Sequence, residues 1–226
     1  MESGATVAAS AISAQARLVS SLRSKIPVNA IVGIGNPYLT WQGKSPPAAA
    51  AGTVCAVQFE ADQVHYRLAT FLSTALARRA GAKVTHYGRC GTCSTLQDLA
   101  VYIEKPDLTA PVRRCAIGFD ENASLKCLET LGFSAPCAQT WWYDAQNTRQ
   151  QCFVTCMMSW ILGSPPRDSD GHLNDCLQCD EDHSGPVFKA TAGRTRRNSG
   201  IRSSIPRGRE EIAPVVHDYV PELARP

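Results

Sequence analysis

Two cysteines separated by two residues, Cys90 and Cys93, lie in the segment of this sequence with the greatest capacity for chemistry. A short β-branched run ends at His86, and a helical pattern that Ser94 or Thr95 can cap follows Cys93 directly. Thiolate is the reactive form of cysteine, and a helix N-terminus or a nearby histidine lowers the pKa of a thiol. The sequence therefore predicts a site formed by His86, Cys90 and Cys93 at the end of a strand.

The Cys-Gly-Thr-Cys segment has two interpretations in which no metal takes part. With its flanking strand and helix it resembles the active-site segment of thioredoxin-like oxidoreductases, which implies thiol-disulfide exchange at Cys90 and Cys93. The sequence departs from that family because the other cysteines have no place in its fold and no segment is identified as its cis-proline loop. Alternatively, each of the two cysteines is half of a structural disulfide with a distant partner. We favour the structural interpretation, which also allows a structural subunit with no active site.

A third interpretation is a metal centre with four cysteine ligands. Cys90, Cys93, Cys176 and Cys179 form two Cys-x-x-Cys pairs, the ligand spacing of tetrahedral zinc sites and iron–sulfur clusters, and His86 could replace one ligand. However, 82 residues separate the two pairs, and five other cysteines lie between them. Because such pairs usually lie close together in sequence, we favour no metal and no other cofactor.

The number and placement of the cysteines predict that their sulfurs are bonded. The chain has ten cysteines, and nine of them lie between residues 90 and 179. Complete pairing therefore requires Cys55 as the tenth partner. Cys152 and Cys156 stand four apart on a predicted helix, where Cβ atoms are about 5–6 Å apart, whereas a disulfide needs roughly 3.5–4.5 Å. Each should bond to a cysteine of another segment. The disulfide candidates are Cys55, Cys90, Cys93, Cys115, Cys127, Cys137, Cys152, Cys156, Cys176 and Cys179.

The cysteine content also predicts a compartment. Disulfides persist in oxidising surroundings, so we expect an extracellular protein or one of an organelle lumen, with its targeting segment absent from this chain or only partly present. Residues 1–25 are rich in alanine and serine and carry three basic residues, which is typical of a transit remnant or of a surface helix. We favour the surface helix because its apolar residues share one stripe. No apolar run reaches the roughly 18 residues that span a bilayer.

Basic residues concentrate near the C-terminus. Residues 189–209 contain seven basic residues and no acid, although the whole chain has a net charge of only +3. Arg194, Arg196 and Arg197 could bind a phosphate, sulfate or carboxylate through paired hydrogen bonds. Alternatively, these arginines pair with the acidic residues that precede them, between residues 168 and 182. Nucleic acid is disfavoured as a partner because no aromatic residues are interleaved with the arginines.

Hydrophobic patterns predict the elements that position these residues. Residues 54–59 and 83–87 read as strands, and residues 60–79 between them read as an amphipathic helix. Strand, helix and strand at this spacing form a βαβ unit, so we expect a parallel sheet whose carboxyl edge carries His86 and the Cys-x-x-Cys segment. A further strand is predicted at residues 28–34. Beyond Pro106 the pattern is helical.

These observations define an α/β fold class, with a small parallel sheet (a βαβ unit, residues about 28–105) packed against a disulfide-stapled, mainly helical, cysteine-rich C-terminal half. The parts are an N-terminal helix, strand and loop (1–50), the α/β unit (51–106), the cysteine-rich helical part of the same domain (107–200) and a basic then acidic tail (201–226). The predicted function is binding, or turnover, of a small anionic ligand at the strand end. His86, Cys90 and Cys93 would form the floor of that site, and Arg194, Arg196 and Arg197 would form its charged wall. The oligomeric state is left open.

Overall fold

A computed structural model describes residues 4–29, 31–33, 35–42, 44–205 and 208–219, with side chains from residue 12 onward. The helices and strands are α1 (Gly4–Arg23), β1 (Ile26–Pro27), α2 (Pro37–Trp41), β2 (Val54–Phe59), β3 (His65–Phe71), α3 (Thr74–Arg79), β4 (Lys83–Tyr87), α4 (Leu96–Glu104), α5 (Thr109–Ala116), α6 (Glu121–Thr130), α7 (Ala135–Ile161), α8 (Asp175–His183) and α9 (Gly185–Ala192). The mixed α/β class is confirmed.

The four strands form one sheet in the order β1, β3, β2, β4. Strand β2 lies antiparallel to both β3 and β4, and the parallel pairing is between β1 and β3. The predicted parallel βαβ unit is therefore wrong in its strand directions. The sheet is built around a β2–β3 hairpin, and the chain reaches β4 through the short helix α3.

The error lies at residues 60–79, where one helix was predicted. Asp62 makes a turn because its carboxylate accepts hydrogen bonds from the main-chain N–H groups of Val64 and His65, both at 2.9 Å. Strand β3 then follows with alternating burial, since Tyr66 and Leu68 face the core. Only α3 at the end of this stretch is helical. Tertiary contacts favoured a strand, in which every second side chain faces the core, over the helix that the spacing of the apolar residues had suggested.

The strand predicted at residues 28–34 is also wrong where the chain is described. The strand there is β1, which ends at Pro27. Residues 31–33 are irregular, and Ala30 and Ile34 lie outside the described residues. Asn36 then caps α2, accepting a hydrogen bond from the main-chain N–H of Tyr38 at 3.0 Å.

Around the Cys-x-x-Cys segment the predicted elements are confirmed. Strand β4 ends at Tyr87, and α4 begins at Leu96 with Thr95 as its N-cap. The Thr95 hydroxyl accepts a hydrogen bond from the main-chain N–H of Asp98 at 3.0 Å. Such a cap satisfies a donor that the first helical turn leaves without an intrahelical partner.

Of three hydrophobic clusters among the described residues, two pack the helices against the sheet or against one another. One joins α1 to the sheet and to α4, with Val19 and Leu22 of α1 buried beside Tyr66 and Leu99. The N-terminal segment is therefore a packed surface helix, as we favoured. The second cluster lies among α4, α5, α6, α7 and α9, and its buried residues include Tyr102, Leu128, Phe133, Trp142 and Phe188. Among the described residues, none of the helices has the length and apolarity needed to cross a membrane.

All ten cysteines form disulfides, which confirms the predicted pairing. The five bridges are Cys55–Cys90, Cys93–Cys137, Cys115–Cys127, Cys152–Cys179 and Cys156–Cys176. Cys152 and Cys156 bond away from their own helix, as expected, and both reach α8. The content of disulfides fits a protein of an oxidising compartment.

Candidate functional site

The predicted site residue His86 lies in the interior of the protein. Its Nδ1 donates to the carbonyl oxygen of Tyr87 at 2.9 Å, and its Nε2 accepts a hydrogen bond of 2.7 Å from the Ser94 hydroxyl. The Ser94 oxygen also accepts from the main-chain N–H of Gly91 at 2.8 Å. Burial, reinforced by the positive charge of Arg194, lowers the pKa of His86 well below its ordinary value. A neutral imidazole follows from that shift.

Serine and histidine at this distance could act as a nucleophile and its base. Their burial argues against that role, because the side chains of Ser94 and His86 are both completely inaccessible to solvent. A substrate would have to open the sheet end to reach the Ser94 oxygen. The pair therefore has a structural role. His86 Nε2 and the Ser94 hydroxyl satisfy each other, and the Ser94 oxygen also satisfies the main-chain N–H of Gly91.

Arg194 lies in the same interior region and is completely buried. Its guanidinium donates to the Cys93 carbonyl at 3.0 Å, to the Ser94 carbonyl at 3.1 Å and to the Thr85 carbonyl at 3.1 Å. It also donates to the hydroxyls of Thr85 at 2.5 Å and Ser199 at 3.1 Å. Burial lowers the pKa of this guanidinium. Arg194 thus joins β4, the Cys-x-x-Cys segment and the chain after α9, and it does not belong to a charged wall.

Glycine in the Cys-Gly-Thr-Cys segment is explained by a close approach of two backbones. The main-chain N–H groups of Thr92 and Cys93 donate to the carbonyls of Thr191 and Ala192, both at 3.0 Å. A Cβ added to Gly91 would lie 2.6 Å from the nitrogen of Gly193. Only a residue without a side chain fits at this contact.

Neither cysteine of the segment bonds to the other. Cys90 bonds to Cys55 of β2, and Cys93 bonds to Cys137 of α7. This is the arrangement of the structural interpretation, in which both sulfurs have distant partners. The pair that a thioredoxin-like site requires is not formed. The four sulfurs of the alternative metal centre, which include those of Cys176 and Cys179, lie in four different bridges.

A concave site lies elsewhere, between α5, α7, α8, α9 and the chain that follows α9. It is a cavity of about 1100 Å³. Its walls are mainly apolar and aromatic, and they include Val112, Trp141, Phe153, Leu177, Phe188 and Ile201. Ligand sites of proteins have this character, with volumes of about 300–1000 Å³. The cavity is large enough for a long or branched apolar molecule.

Arginines surround the cavity. Arg113, Arg114, Arg202 and Arg209 line it and are exposed, and the guanidinium groups of all four lack an ion pair or hydrogen bond in the described part of the chain. Arg149 also lines it, and its guanidinium lies 4.7 Å from the ring centre of Phe119. We refer to Arg113, Arg114, Arg202 and Arg209 as the basic rim.

Of the arginines predicted as an anion site, Arg196 and Arg197 line this cavity. Arg196 donates to the carbonyl of Tyr102 at 2.7 Å and lies 5.5 Å from the centre of that ring. Arg197 forms ion pairs with Glu181 at 3.4 Å and Glu211 at 3.5 Å. The alternative prediction, pairing with the preceding acidic residues, therefore holds for Arg197 with Glu181.

Three acidic residues, Asp144, Asp180 and Glu181, also line the cavity, and none of them forms an ion pair with the basic rim. Burial raises the pKa of Asp144 well above its ordinary value, and the neighbouring Asp180 raises it further. Burial also raises the pKa of Asp180. Glu181 is neutralised by Lys189 at 2.7 Å and by Arg197. Among the described residues, the exposed charges of this cavity that have no ion pair are therefore those of the basic rim.

Three buried polar atoms of cavity residues lack a hydrogen bond of standard geometry within the described residues. They are Tyr102 Oη, Trp141 Nε1 and Arg149 Nη1. All three can donate, and their residues come from α4 and α7. Buried donors without partners are rare in native proteins, so each one calls for an explanation. A ligand in the cavity would supply acceptors.

A separate exposed loop brings Asp168, Asp170 and His172 together. One ligand atom from each lies within 4.8 Å of the others. The Asp168 carboxylate already accepts hydrogen bonds from the main-chain N–H groups of Asp170 at 3.0 Å and His172 at 2.8 Å. This loop could hold a cation, but its contacts are also those of an ordinary turn.

Sequence reasoning missed the cavity because its walls come from five separate segments. A partial signal exists in Arg113 and Arg114, which follow Val112 on an amphipathic helix. Trp141 and Phe188 both line the cavity, and both also pack in the second hydrophobic cluster. Their rings lie 4.5 Å apart and are tilted by 53°, at the boundary between the core and the cavity.

The profile of a family described as a family of unknown function (DUF8771) matches residues 121–215. This stretch runs from α6 to the chain after α9, and it contains α7, α8 and the arginines at positions 194, 196 and 197. Neither the comparison with curated proteins nor the comparison with solved structures finds a match to this chain.

Proposed function

We propose that this protein is an extracellular or luminal carrier of an amphipathic anion. The apolar part of the ligand occupies the cavity between α5, α7, α8 and α9. Its carboxylate, sulfate or phosphate group binds at the basic rim. The observation that carries this proposal is a large apolar cavity lined by four exposed arginines that have no ion pair among the described residues.

Electrostatics favours the anionic end of such a ligand. The guanidinium groups of the basic rim are available, while Arg196 and Arg197 have partners of their own. Guanidinium groups bind carboxylates and phosphates with two parallel hydrogen bonds. The buried donor Arg149 Nη1 would find no acceptor on a purely apolar ligand. A ligand with polar oxygens is the better fit.

The five disulfides support the carrier in a second way. A cavity of this size leaves apolar surface in contact with solvent, which favours collapse of the walls. The Cys152–Cys179 and Cys156–Cys176 bridges join two wall helices, α7 and α8, and Cys115–Cys127 joins α5 to α6. These cross-links fix the wall helices relative to one another at little cost to the folded state, because they act mainly on the unfolded chain.

Binding of a fluorescent fatty acid, 11-(dansylamino)undecanoic acid, tests the proposal. We expect saturable binding by the oxidised protein, and weaker binding of the matched uncharged alcohol. Ala145 lines the cavity, so Ala145→Phe should block the probe by filling space. Arg113→Gln combined with Arg202→Gln should weaken the acid about tenfold or more and leave the alcohol unchanged, since each guanidinium contact to a charged group stabilises by about 1.5–3 kcal/mol.

Arg78→Gln is the matched control, because Arg78 is exposed on α3 and does not line the cavity. This variant should bind the acid like the wild type. Equal affinity of the wild-type protein for the acid and the alcohol would remove the anionic part of the proposal. Absence of saturable binding to both probes would overturn the proposal and leave the structural subunit as the better account.

A further inference from the structure

The last part of α7 has an exposed apolar surface. Residues 150–166 contain no charged residue. The exposed large hydrophobic side chains in this stretch are Phe153, Val154, Met157, Met158, Trp160, Ile161 and Leu162. Single exposed apolar residues are ordinary on soluble proteins, but a contiguous group of this size marks an interaction surface.

Two disulfides keep this surface exposed. Cys152 and Cys156 lie one helical turn apart on α7 and bond to Cys179 and Cys176 on α8. The end of α7 is thus fixed against α8 and cannot fold back to bury its apolar side chains on the rest of the molecule. A surface that is fixed in this way contributes to binding without a large entropic cost of ordering.

The surface is continuous with the mouth of the cavity. Phe153, Met157 and Trp160 line the cavity as well as being exposed, and so do Ile117 and Phe119 after α5. Phe119 is 89% exposed and Trp160 is 69% exposed. We call these five residues, together with Arg113 and Arg114, the docking face.

Charge on the docking face is basic. Arg113 and Arg114 line the cavity, as Ile117 does, and their guanidinium groups have no partner in the part of the chain that is described. The exposed acidic residues Asp168, Asp170, Asp175 and Asp182 do not line the cavity. The face therefore combines aromatic and aliphatic side chains with arginine, the composition that binds the interface of an anionic bilayer.

We infer that the docking face binds the surface of an anionic lipid bilayer. A tryptophan and two phenylalanines insert at the level of the headgroups, where amphipathic and aromatic side chains are favoured. The arginines bind lipid phosphates. The cavity mouth then opens toward the membrane, so that a lipid-like ligand passes between bilayer and cavity without crossing water. The choice of a lipid surface rests on the proposed function.

A second copy of the chain is a poorer occupant. In a symmetric dimer the same patch lies on both sides of the interface. Both copies would then bring Arg113 and Arg114 into one interface, and like charges gathered in an interface cost binding energy. A bilayer of anionic lipid offers these arginines opposite charges.

Sedimentation with lipid vesicles tests the inference on the full, oxidised protein. The vesicles contain phosphatidylcholine alone or with phosphatidylglycerol. We expect binding to the anionic vesicles at least about tenfold stronger than to the neutral ones, because each arginine near an anionic surface contributes. Phe153→Glu with Trp160→Glu should reduce binding about tenfold or more. Arg113→Gln with Arg114→Gln should remove the preference for anionic vesicles.

Leu72→Glu is the control for an exposed apolar residue away from the face, since Leu72 is 70% exposed in the turn after β3. This variant should bind vesicles like the wild type. Intact mass and circular dichroism confirm that every variant retains its bridges and fold. Wild-type protein that ignores both kinds of vesicle would overturn the inference. A dimer in the ultracentrifuge that Trp160→Glu dissociates, without any vesicle binding, would overturn it in favour of a second copy.

The two proposals fail separately. Ala145→Phe should lose the soluble fatty-acid probe and still bind vesicles. Val154→Glu with Ile161→Glu, two exposed residues at the end of α7 that do not line the cavity, should weaken vesicle binding and retain the probe. Wild-type protein that binds the probe and ignores vesicles leaves the carrier intact and removes the docking face. Protein that binds vesicles and ignores the probe removes the carrier and retains the docking face.

Discussion

Arg194 Nε donates a hydrogen bond of 3.0 Å to the main-chain carbonyl oxygen of Cys93, so that a buried cation lies against the segment with the sequence Cys-Gly-Thr-Cys. The same guanidinium reaches the carbonyls of Thr85 and Ser94. The Arg194 side chain thus joins β4, the segment before α4 and the chain after α9. It acts as an internal brace in a region where the sheet ends.

We expect Arg194→Met to destabilise the protein by at least about 3 kcal/mol, because several buried acceptors would lose their donor at once. Methionine retains much of the volume, so the loss reports hydrogen bonding rather than a cavity. Urea unfolding with the disulfides intact measures the free energy of unfolding. Arg78→Met, on the exposed face of α3, should stay within about 0.5 kcal/mol of the wild type. Equal effects of the two substitutions would contradict the brace.

Gly91→Ala should destabilise the protein by about 3 kcal/mol or more, because its Cβ would lie 2.6 Å from the main-chain nitrogen of Gly193. The two backbones cannot separate without breaking the hydrogen bonds from Thr92 and Cys93 to the chain of α9. Thermal unfolding and urea unfolding measure the effect. Gly118→Ala is the control, since a Cβ there has its nearest neighbour at 4.0 Å. A Gly91→Ala protein as stable as the control would show that the two segments are not packed this closely.

Stability should depend on pH through Asp144 and Asp180. Burial raises the pKa of both carboxyls above the ordinary value of 3.8. The folded protein therefore binds more protons than the unfolded chain once the pH exceeds that value, and the free energy of unfolding falls as pH rises toward the raised pKa values. In the native protein the Tyr38 hydroxyl donates to Asp144 Oδ1 at 2.8 Å, and asparagine retains an oxygen that can accept this hydrogen bond. Asp144→Asn should therefore reduce the fall of the free energy of unfolding with rising pH.

Urea unfolding at a series of pH values above 4 measures this dependence. Exposed Glu129→Gln on α6 is the matched control, and its curve should run parallel to that of the wild type. If Asp144→Asn left the slope unchanged, the carboxyl would have to be ionised in the folded protein. That result would also return a negative charge to the cavity and weaken the argument for an anionic ligand.

Native protein should resist alkylation at every cysteine. All ten sulfurs are bonded, and Cys90 and Cys93 have separate partners. Iodoacetamide should add no mass to the folded, unreduced protein and ten groups after reduction and unfolding. Rapid modification of Cys90 or Cys93 in the native protein would instead support a reactive thiol and the oxidoreductase interpretation. Intact-mass spectrometry distinguishes the two outcomes.

Much of the local structure was readable from the sequence. Strand β4, the cap at Thr95 and helix α4 follow from short patterns in which each residue acts on its neighbours. The pairing of all ten cysteines was also predictable in principle, since the count is even only when Cys55 is included. The connectivity was not, because it depends on which segments approach each other in space.

Tertiary structure decided the rest. Arg194 and Arg196 are two residues apart, yet one is sealed in the interior and the other lines the cavity. The direction of the strands depended on the turn at Asp62, whose carboxylate captures two main-chain donors and reverses the chain. Residue types and spacing determined an α/β protein held by disulfides with surplus positive charge near its end. Packing of five distant segments decided where that charge meets an apolar cavity, because burial and solvent access are properties of the folded chain as a whole.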